Sequence, residues 1–543
     1  MRATAADALD SLAYGKAGCQ HANTRPLIRV EPGKAHALAT MAENALIAAK
    51  APIYVRGGSL VRPVSEEVNG AHGTLTHVAR LTEVGSGTLL DWLSRVARWE
   101  RFDGRSNDWR PVDPAPAAIA VLLARDGEWG FPILTGMLTC PTLRPDGTVL
   151  AEAGYDPVTR LLLIEPPTMP RIPDRPTKQD AAAALGLLDG LLKDFPFVNG
   201  SSRSVGLSAL ITPVARGAMA VVPAHIARAT TPGTGKSYLN DLVAAIAIGQ
   251  RCPVIAAGRN EEETEKRLVA ALLAGAPLIS VDNLNGEFSG DFLCQLIERP
   301  TVEVRRLGRS ELVRLESRCT ILATGNNLIP AGDVVRRVLI ADLDANSERP
   351  ELRAFTGNPF ASILAERGRY IAAALTVCRG YLVAGRPNRL APLASFEEWS
   401  GLVRSALVWL GRDDPCETME AARADDPETG ALRALVSAWR EAVPSRALTA
   451  GELIACAAEA EWTGDGDAHD RATSRLRFPD LQEALSTIAG DGRGINPMRL
   501  AKRLGRWRGR IVDGMRIEID SRGKSPRWRL IDATSRGAMY VAS

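Results

Sequence analysis

The sequence predicts an α/β protein built around a parallel sheet, with an α+β region before it and a winged-helix-like region after it. Three observations carry this prediction. From about residue 221 to 343, short apolar strands alternate with helices, the order that produces parallel pairing. The stretch TTPGTGKS, residues 230–237, stands where one of those strands gives way to a helix. LISVDN, residues 278–283, is an apolar strand that ends in an acid, Asp282.

At 543 residues the chain exceeds what one hydrophobic core can organise, so several domains are expected. Composition reads residues 1–26 as a mobile lead-in and 27–177 as the α+β domain. Within the latter, AHALATMAENALIAAK (35–50) has helical character, and IYVRGGSLVRPV reads as two strands around a Gly-Gly turn. Pro-Asp-Gly marks a further turn in TLRPDGTVLAEAGYDPVTRLLL, and the proline-dense PPTMPRIPDRPT (166–177) reads as a stiff linker. Residues 178–358 then hold the sheet and the helix that precedes it, KQDAAAALGLLDGLLKDF (178–195). The five expected strands are AHIARA, PVIAAG, PLISVD, CTILATG and RVLIADLD. Between the first three lie two helices, GKSYLNDLVAAIAIG and EEETEKRLVAALLAG, the second with acids in its first turn, where they favour a helix start. Helical segments fill 359–425, where the acidic, proline-containing GRDDP and RADDPETG mark a boundary, and 426–543 is the winged-helix-like domain.

Charge is nearly balanced, 66 basic against 63 acidic side chains, and says little about partners. Eight cysteines are scattered without a C-x-x-C pair and six histidines form no metal-like cluster, which argues against zinc or a disulfide framework and for a reducing compartment. The N-terminal MRATAADALD lacks a basic-then-apolar signal, and no apolar run reaches the ~18 residues of a membrane span. A cytoplasmic protein with no membrane partner is expected.

The strand–loop–helix context of TTPGTGKS is the one a phosphate-binding loop requires. Pro232, Gly233, Thr234, Gly235, Lys236 and Ser237 are the candidate ATP-binding residues. The two glycines let backbone N–H groups turn toward phosphate oxygens at the positive end of the next helix. Lys236 would neutralise the β- and γ-phosphates and Ser237 would hold Mg²⁺. Thr230 stands where the usual loop pattern has its first glycine. Asp282, at the C-terminal end of its strand, is positioned to complete the metal shell with Ser237. Asn326 or Asn327, just past CTILATG, can hold an attacking water or the γ-phosphate without repelling it. Arg336 and Arg337, at a helix-to-strand junction, can stabilise transition-state charge, or simply suit a helix end. Asn283 follows Asp282 and cannot serve as a general base.

Between the third and fourth strands, SGDFLCQLIERP reads as a helix and VEVRRLGRSELVRLE as a β-hairpin with Arg305, Arg306 and Arg309 crowding its tip. Glu303, Glu311 and Glu316 would also suit a plain solvated hairpin, but its place before the asparagine-bearing strand favours contact with DNA phosphates.

The ordered set PGTGKS, LISVDN, a hairpin, ATGNN and RR resembles the AAA+ ATPases. It is most similar to the helicase part of phage- and mobile-element-type replication proteins, akin to superfamily 3 and poxvirus-type primase–helicases, with a hairpin like that of minichromosome-maintenance helicases. The resemblance covers about 221–355. It implies a Walker A loop at Lys236 and Ser237, a Walker B acid at Asp282, sensor 1 at Asn326 and an arginine finger at Arg336 or Arg337. It also implies a homo-oligomeric ring, hexameric in such relatives, that hydrolyses ATP with Mg²⁺ while translocating on single-stranded DNA in a central channel. Asn283 departs from the usual pair of acids and leaves the catalytic base open, with Glu287 and the Glu261–Glu263 run as substitutes. Arg349 and Arg353 are candidates for a further γ-phosphate sensor. No paired-acid constellation for a primase centre stands out in the first 200 residues. An ATP-switched replication initiator with weak hydrolysis and an AAA+ protein remodeller are the competing readings.

In the tail, INPMRLAKRLGRWRGRIVDGMRIEIDSRGKSPRWRL (495–530) reads as helix, strand, turn and strand, which suits a winged helix. Residues 493–529 carry twelve Lys or Arg against three acids, a basic surface that suits duplex DNA or a solubilising role. Trp507 and Trp528 read as core.

Overall fold

The computed structural model describes residues 25–69, 75–256, 258, 260–306, 311–353, 356–444, 446–463, 473–492, 494–520 and 526–533. The expected lead-in lies almost wholly outside these residues, as does Arg309 of the hairpin tip. The described residues fall into two compact units, one of 1–328 with 336–419, the other of 329–335 with 420–543.

The first unit is mixed α/β. Its N-terminal part packs helices Ala35–Ala48, Ser86–Val96 and Pro116–Ala124 around Leu38, Leu46, Leu89, Leu93, Trp99 and Leu122. A three-stranded sheet, Leu27–Val30 beside Arg98–Asp103 beside Asp108–Pro111, contributes Ile28, Val30 and Trp99 to that core. The expected Gly-Gly turn joins Tyr54–Arg56 to Ser59–Asn69. Gly57 and Gly58 have φ of 53° and 68°, and a two-residue hairpin turn needs positive φ at both places.

The central sheet has five strands, numbered here β1 (Ala224–Ala229), β2 (Val254–Ala256), β3 (Leu278–Phe288), β4 (Thr320–Pro330) and β5 (Val338–Leu343). They run parallel in the spatial order β2-β3-β4-β1-β5. Each interior strand is apolar almost throughout because helices cover both faces of such a sheet. Ile226, Val281, Leu322 and Ile340 are all buried. Helices α1 (Lys236–Ile248) and α2 (Glu261–Leu273) follow β1 and β2. Across the β1–β5 pair Arg228 and Asp342 stand opposite one another, and the guanidinium donates through Nε (2.6 Å) and Nη2 (2.9 Å) to the two carboxylate oxygens.

The N-terminal part docks on this sheet's neighbourhood through backbone and a buried cation. Leu81 N donates to Ala274 O (3.0 Å), and Arg56 Nη2 donates to Leu272 O (2.9 Å), both at the C-terminal end of α2. The proline-dense stretch, expected to be a stiff linker, packs against a helix. The Thr168 carbonyl lies so close to Gly368, in helix Arg367–Val383, that a Cβ there would stand 1.9 Å from its oxygen. The helix after the stretch, Lys178–Leu191, starts on a capping box between Thr177 and Asp180.

The second unit has helices Pro427–Ala442, Ala450–Ala457, Pro479–Ala489 and Pro497–Trp507, then strands Ile511–Val512, Met515–Asp520 and Arg527–Asp532. The helix–strand–turn–strand order expected in the tail is present. Trp507 and Trp528 are both buried, in one core with Trp439, Leu453, Leu485 and Leu504. Leu448 pairs with Trp528 through reciprocal backbone bonds and adds a third line of pairing beside the terminal hairpin.

Candidate nucleotide site

The end of β1 and the middles of β3 and β4 bring the loop, Asp282 and the asparagines together; Asp282 does not end its strand as expected, because β3 continues to Phe288. Residues 230–235 link β1 to α1, with Gly233 and Gly235 at φ of 78° and 101°, a backbone that side chains rarely adopt. Pro232 and Gly233 are exposed, Thr234 is buried, and Ser237 opens outward at the first turn of α1. Lys236 is largely enclosed, and Nζ donates to Thr231 O (3.1 Å) and to Thr234 Oγ1 (3.3 Å). Burial pulls its pKa below the usual lysine value, and the Asp282 charge opposes that shift.

Strands β1 and β3 are not neighbours, since β4 lies between them, yet their site residues meet. Ser237 Oγ donates to Asp282 Oδ1 at 3.1 Å. Thr324 of β4 completes the bridge: its hydroxyl donates to the same Asp282 oxygen and accepts from Asn283 N at 3.1 Å. Thr324 is the principal residue missed from sequence, because a threonine inside an apolar strand reads only as a β-former. Its place two positions before Asn326 in ATGNN was the available signal. Behind the site, Asn240 Nδ2 of α1 donates to Ser280 Oγ of β3 (3.1 Å), which ties the loop's helix to the acid's strand.

Asn326 pairs across the sheet with Ala229, the last residue of β1 before the loop. Its Oδ1 is buried with no hydrogen-bond partner among the described residues, an acceptor left for a group that arrives from outside. Asn283 and Asn327 both have positive φ, 56° and 49°. Asparagine is among the few non-glycine residues that tolerate this conformation, so the backbone itself favours Asn at 283.

Both arginines of the junction approach Glu298. Arg337 is buried and donates to Glu298 Oε2, while Arg336 is about half exposed with Nη1 3.7 Å from Glu298 Oε1. Burial acts to raise the Glu298 pKa, but hydrogen bonds from Ser395 and Arg337 together with both arginine charges leave it below the usual carboxylate value. The Glu261–Glu263 run has local work: Glu261 accepts from Asp291 N (2.9 Å), and Glu262 and Glu263 pair with Lys266 at 3.0 and 3.1 Å. Glu287 is exposed and lines a cavity of about 380 Å³ together with Asn283. Arg349 pairs with Glu351 (3.1 Å), a residue packed on Gly233, and Arg353 donates to Asp194 O.

The hairpin forms as Thr301–Arg305 and Leu312–Glu316. Arg305 points to solvent, but Arg306 does not crowd an open tip. Its guanidinium turns to the N-terminal part, 3.0 Å from Ser59 Oγ and 3.6 Å from Glu83 Oε1. Leu315 and Val313 of the same hairpin pack so close to Gly57 that a Cβ there would clash. These long-range contacts leave no trace in the local sequence pattern.

Beside the loop opens a cavity of about 1090 Å³ lined by Phe195, Tyr238, Arg251, Phe360 and Tyr370, among others. Phe195 stacks on Tyr238 (6.1 Å, 15°), and the Arg251 guanidinium lies 4.8 Å from the centre of the Phe360 ring. The cavity is aromatic-rich and adjoins Gly233, Thr234 and Gly235 of the loop. Among the described residues, no helix is long and apolar enough to cross a membrane.

No protein-family model matches the chain, and no curated protein does. Solved structures do. The A-form apo structure of the NrS-1 C terminal region is 13% identical, with a TM-score of 0.31, and the match covers 81% of this chain and 98% of that one. The A-form apo structure of its CTR(305-718) is 11% identical, with a TM-score of 0.36, over 90% and 98% of the two chains. Likeness at this level carries no functional argument, so the function rests on the site.

Proposed function

We propose that the chain is a ring-forming AAA+ ATPase that works as a DNA helicase in the replication of a phage, plasmid or integrated mobile element. The observation that carries this reading is the meeting at 3.1 Å of Ser237, on the helix that follows β1, with Asp282 of β3, although β4 lies between the two strands. Two hard oxygen donors beside a phosphate-type loop are the donor set Mg²⁺ takes when it is shared with nucleotide phosphates. Such an ion neutralises charge on the β- and γ-phosphate oxygens. In this reading Lys236 leaves its loop contacts for the phosphates. The unpartnered Asn326 oxygen orients water, and Arg336, the more exposed of the pair, supplies the arginine finger to a neighbouring subunit. The hexameric ring, the channel for single-stranded DNA and duplex contact through the basic C-terminal unit extend the same reading.

A second reading, an ATP-switched initiator with weak hydrolysis, is favoured by Asn283, whose left-handed backbone suits asparagine and whose side chain is no base. Glu287, on the same cavity, is then the remaining acid for a base. ATP turnover measured with and without single-stranded DNA separates the readings. The helicase predicts turnover stimulated by DNA, while tight ATP binding with negligible turnover on or off DNA would favour the initiator. Stimulation by protein substrates alone would favour a remodeller.

A further inference from the structure

The N-terminal sheet has a face that the nucleotide chemistry does not use. In β-strands, residues directly opposite share a face. The register pairs Arg29 with Glu100, Leu27 with Arg98, Phe102 with Trp109 and Glu100 with Pro111, so these seven side chains stand together. Their neighbours Ile28, Val30 and Trp99 point the other way, into the core. On the outer face, Leu27, Arg29, Arg98, Phe102 and Pro111 are exposed. A phenylalanine 47% exposed, edge-on to a tryptophan at 5.6 Å, is an expensive surface for a sheet that meets only water.

The charges around the rings say what kind of partner fits. The Arg29 guanidinium lies 4.4 Å from the centre of the Trp109 ring and is steadied by Glu100 at 3.7 Å. Trp109 is thus flanked by the Arg29 guanidinium and by the Phe102 ring. Arg98 shares this face and exposed Arg105 lies in the turn beyond it, whereas Arg101 and Arg110, which pair with one another and with Val30, belong to the opposite face. The acids among them are turned to local backbone. Asp103 accepts from Arg105 N and Ser106 Oγ, and these bonds hold its carboxyl below the usual range; Asp108 accepts from Trp109 N. Arg29, Arg98 and, at the turn, Arg105 are therefore the exposed cations of this face, against one acid, Glu100, which is already paired with Arg29.

We propose that this face, centred on Phe102, Trp109 and Arg29, binds single-stranded nucleic acid by stacking bases on the Phe102 ring and the Arg29 plane. Aromatic rings and guanidinium planes on an open sheet are surfaces on which unpaired bases stack whatever their identity. Arg29 pairs with Glu100 and Phe102 lies two positions further along that strand, so the two planes are diagonal neighbours about 7–8 Å apart, a span that suits successive bases of an extended strand. Arg98 and, at the turn, Arg105 would meet the phosphates. This site does not depend on ATP, so it stands or falls separately from the helicase reading.

The test is anisotropy of a labelled oligothymidylate with the full chain, without nucleotide. The variants are Trp109→Ala, Phe102→Ala and the ring-preserving Trp109→Phe. Loss of the Phe102 ring, or of the Trp109 ring that supports the Arg29 plane, is expected to weaken binding about tenfold or more. Trp109→Phe should keep most of it, and basal ATP turnover should be unchanged in all three. Wild-type binding by both alanine variants would overturn the proposal, and so would equal loss in Trp109→Phe. A changed oligomeric state on sedimentation, with DNA binding intact, would assign the face to a second copy of the chain and overturn it too.

Discussion

Thr324→Val removes one hydroxyl and keeps the shape of a side chain that is 1% exposed. That hydroxyl donates to Asp282 Oδ1 and accepts from Asn283 N, so the substitution releases the acid and leaves a backbone donor unpaired. A hydrogen bond to a charged group contributes about 1.5–3 kcal/mol, and an orphaned buried donor costs about 1–3 kcal/mol. The larger effect falls on function. Asp282 is shared by Ser237 and Thr324, and loss of a group that orients a metal ligand typically weakens metal affinity about 10–100-fold. ATP turnover titrated with Mg²⁺ reads this directly: half-saturation should rise about 10–100-fold in Thr324→Val. Thr324→Ser, which keeps the hydroxyl, should stay close to wild type. A Thr324→Val protein with wild-type Mg²⁺ dependence would refute the bridging role, as would a serine variant equally impaired.

Other substitutions probe the frame around the site. Arg337→Ala breaks a buried ion pair and should lower stability by about 3 kcal/mol in thermal melting, whereas Arg336→Ala should leave the melt unchanged and reduce turnover. His225, buried in β1 with its Nε2 2.9 Å from Ser208 Oγ, has its pKa pushed by burial from 6.5 down to about 3. Between those values the unfolded chain binds a proton that the folded chain refuses. Its contribution is therefore complete above about pH 6.5 and is lost as pH falls toward 3, at up to about 1.4 kcal/mol per pH unit. Melting curves of His225→Gln across that range should decline less steeply than wild type. Gly368→Ala places a Cβ 1.9 Å from the Thr168 carbonyl and should cost about 1–3 kcal/mol through displaced backbone, seen as a lower melting midpoint.

Local patterns made the parallel sheet legible. AHIARA, PLISVD, CTILATG and RVLIADLD are apolar runs of strand length, and all four form strands where expected, although β3 and β4 continue well past the sequence signal, to Phe288 and Pro330. The loop was legible because its two glycines, lysine and serine fall within five successive residues, 233–237. What the sequence hid was contact between distant segments. Arg306 meets Ser59 and Glu83, more than 200 residues away, so a cation expected at an open hairpin tip proves to be an internal anchor. Thr324 was hidden for a related reason, since its partners come from β3 and nothing beside it in the chain announces them. Asn283 changed meaning as well. It first reads as a missing catalytic acid, and its φ of 56° supplies a backbone reason for asparagine at that place.

The measurement that tests the central claim most directly is strand displacement on a forked DNA duplex by the full chain with ATP and Mg²⁺, wild type beside Lys236→Ala. Lys236 is the cation of the loop and sits enclosed against Thr231 and Thr234, ready to exchange those contacts for phosphate oxygens. The account predicts ATP-dependent unwinding by the wild type and none by the variant. Equal unwinding by Lys236→Ala, or no unwinding by a wild-type protein that binds the fork and hydrolyses ATP, would contradict it.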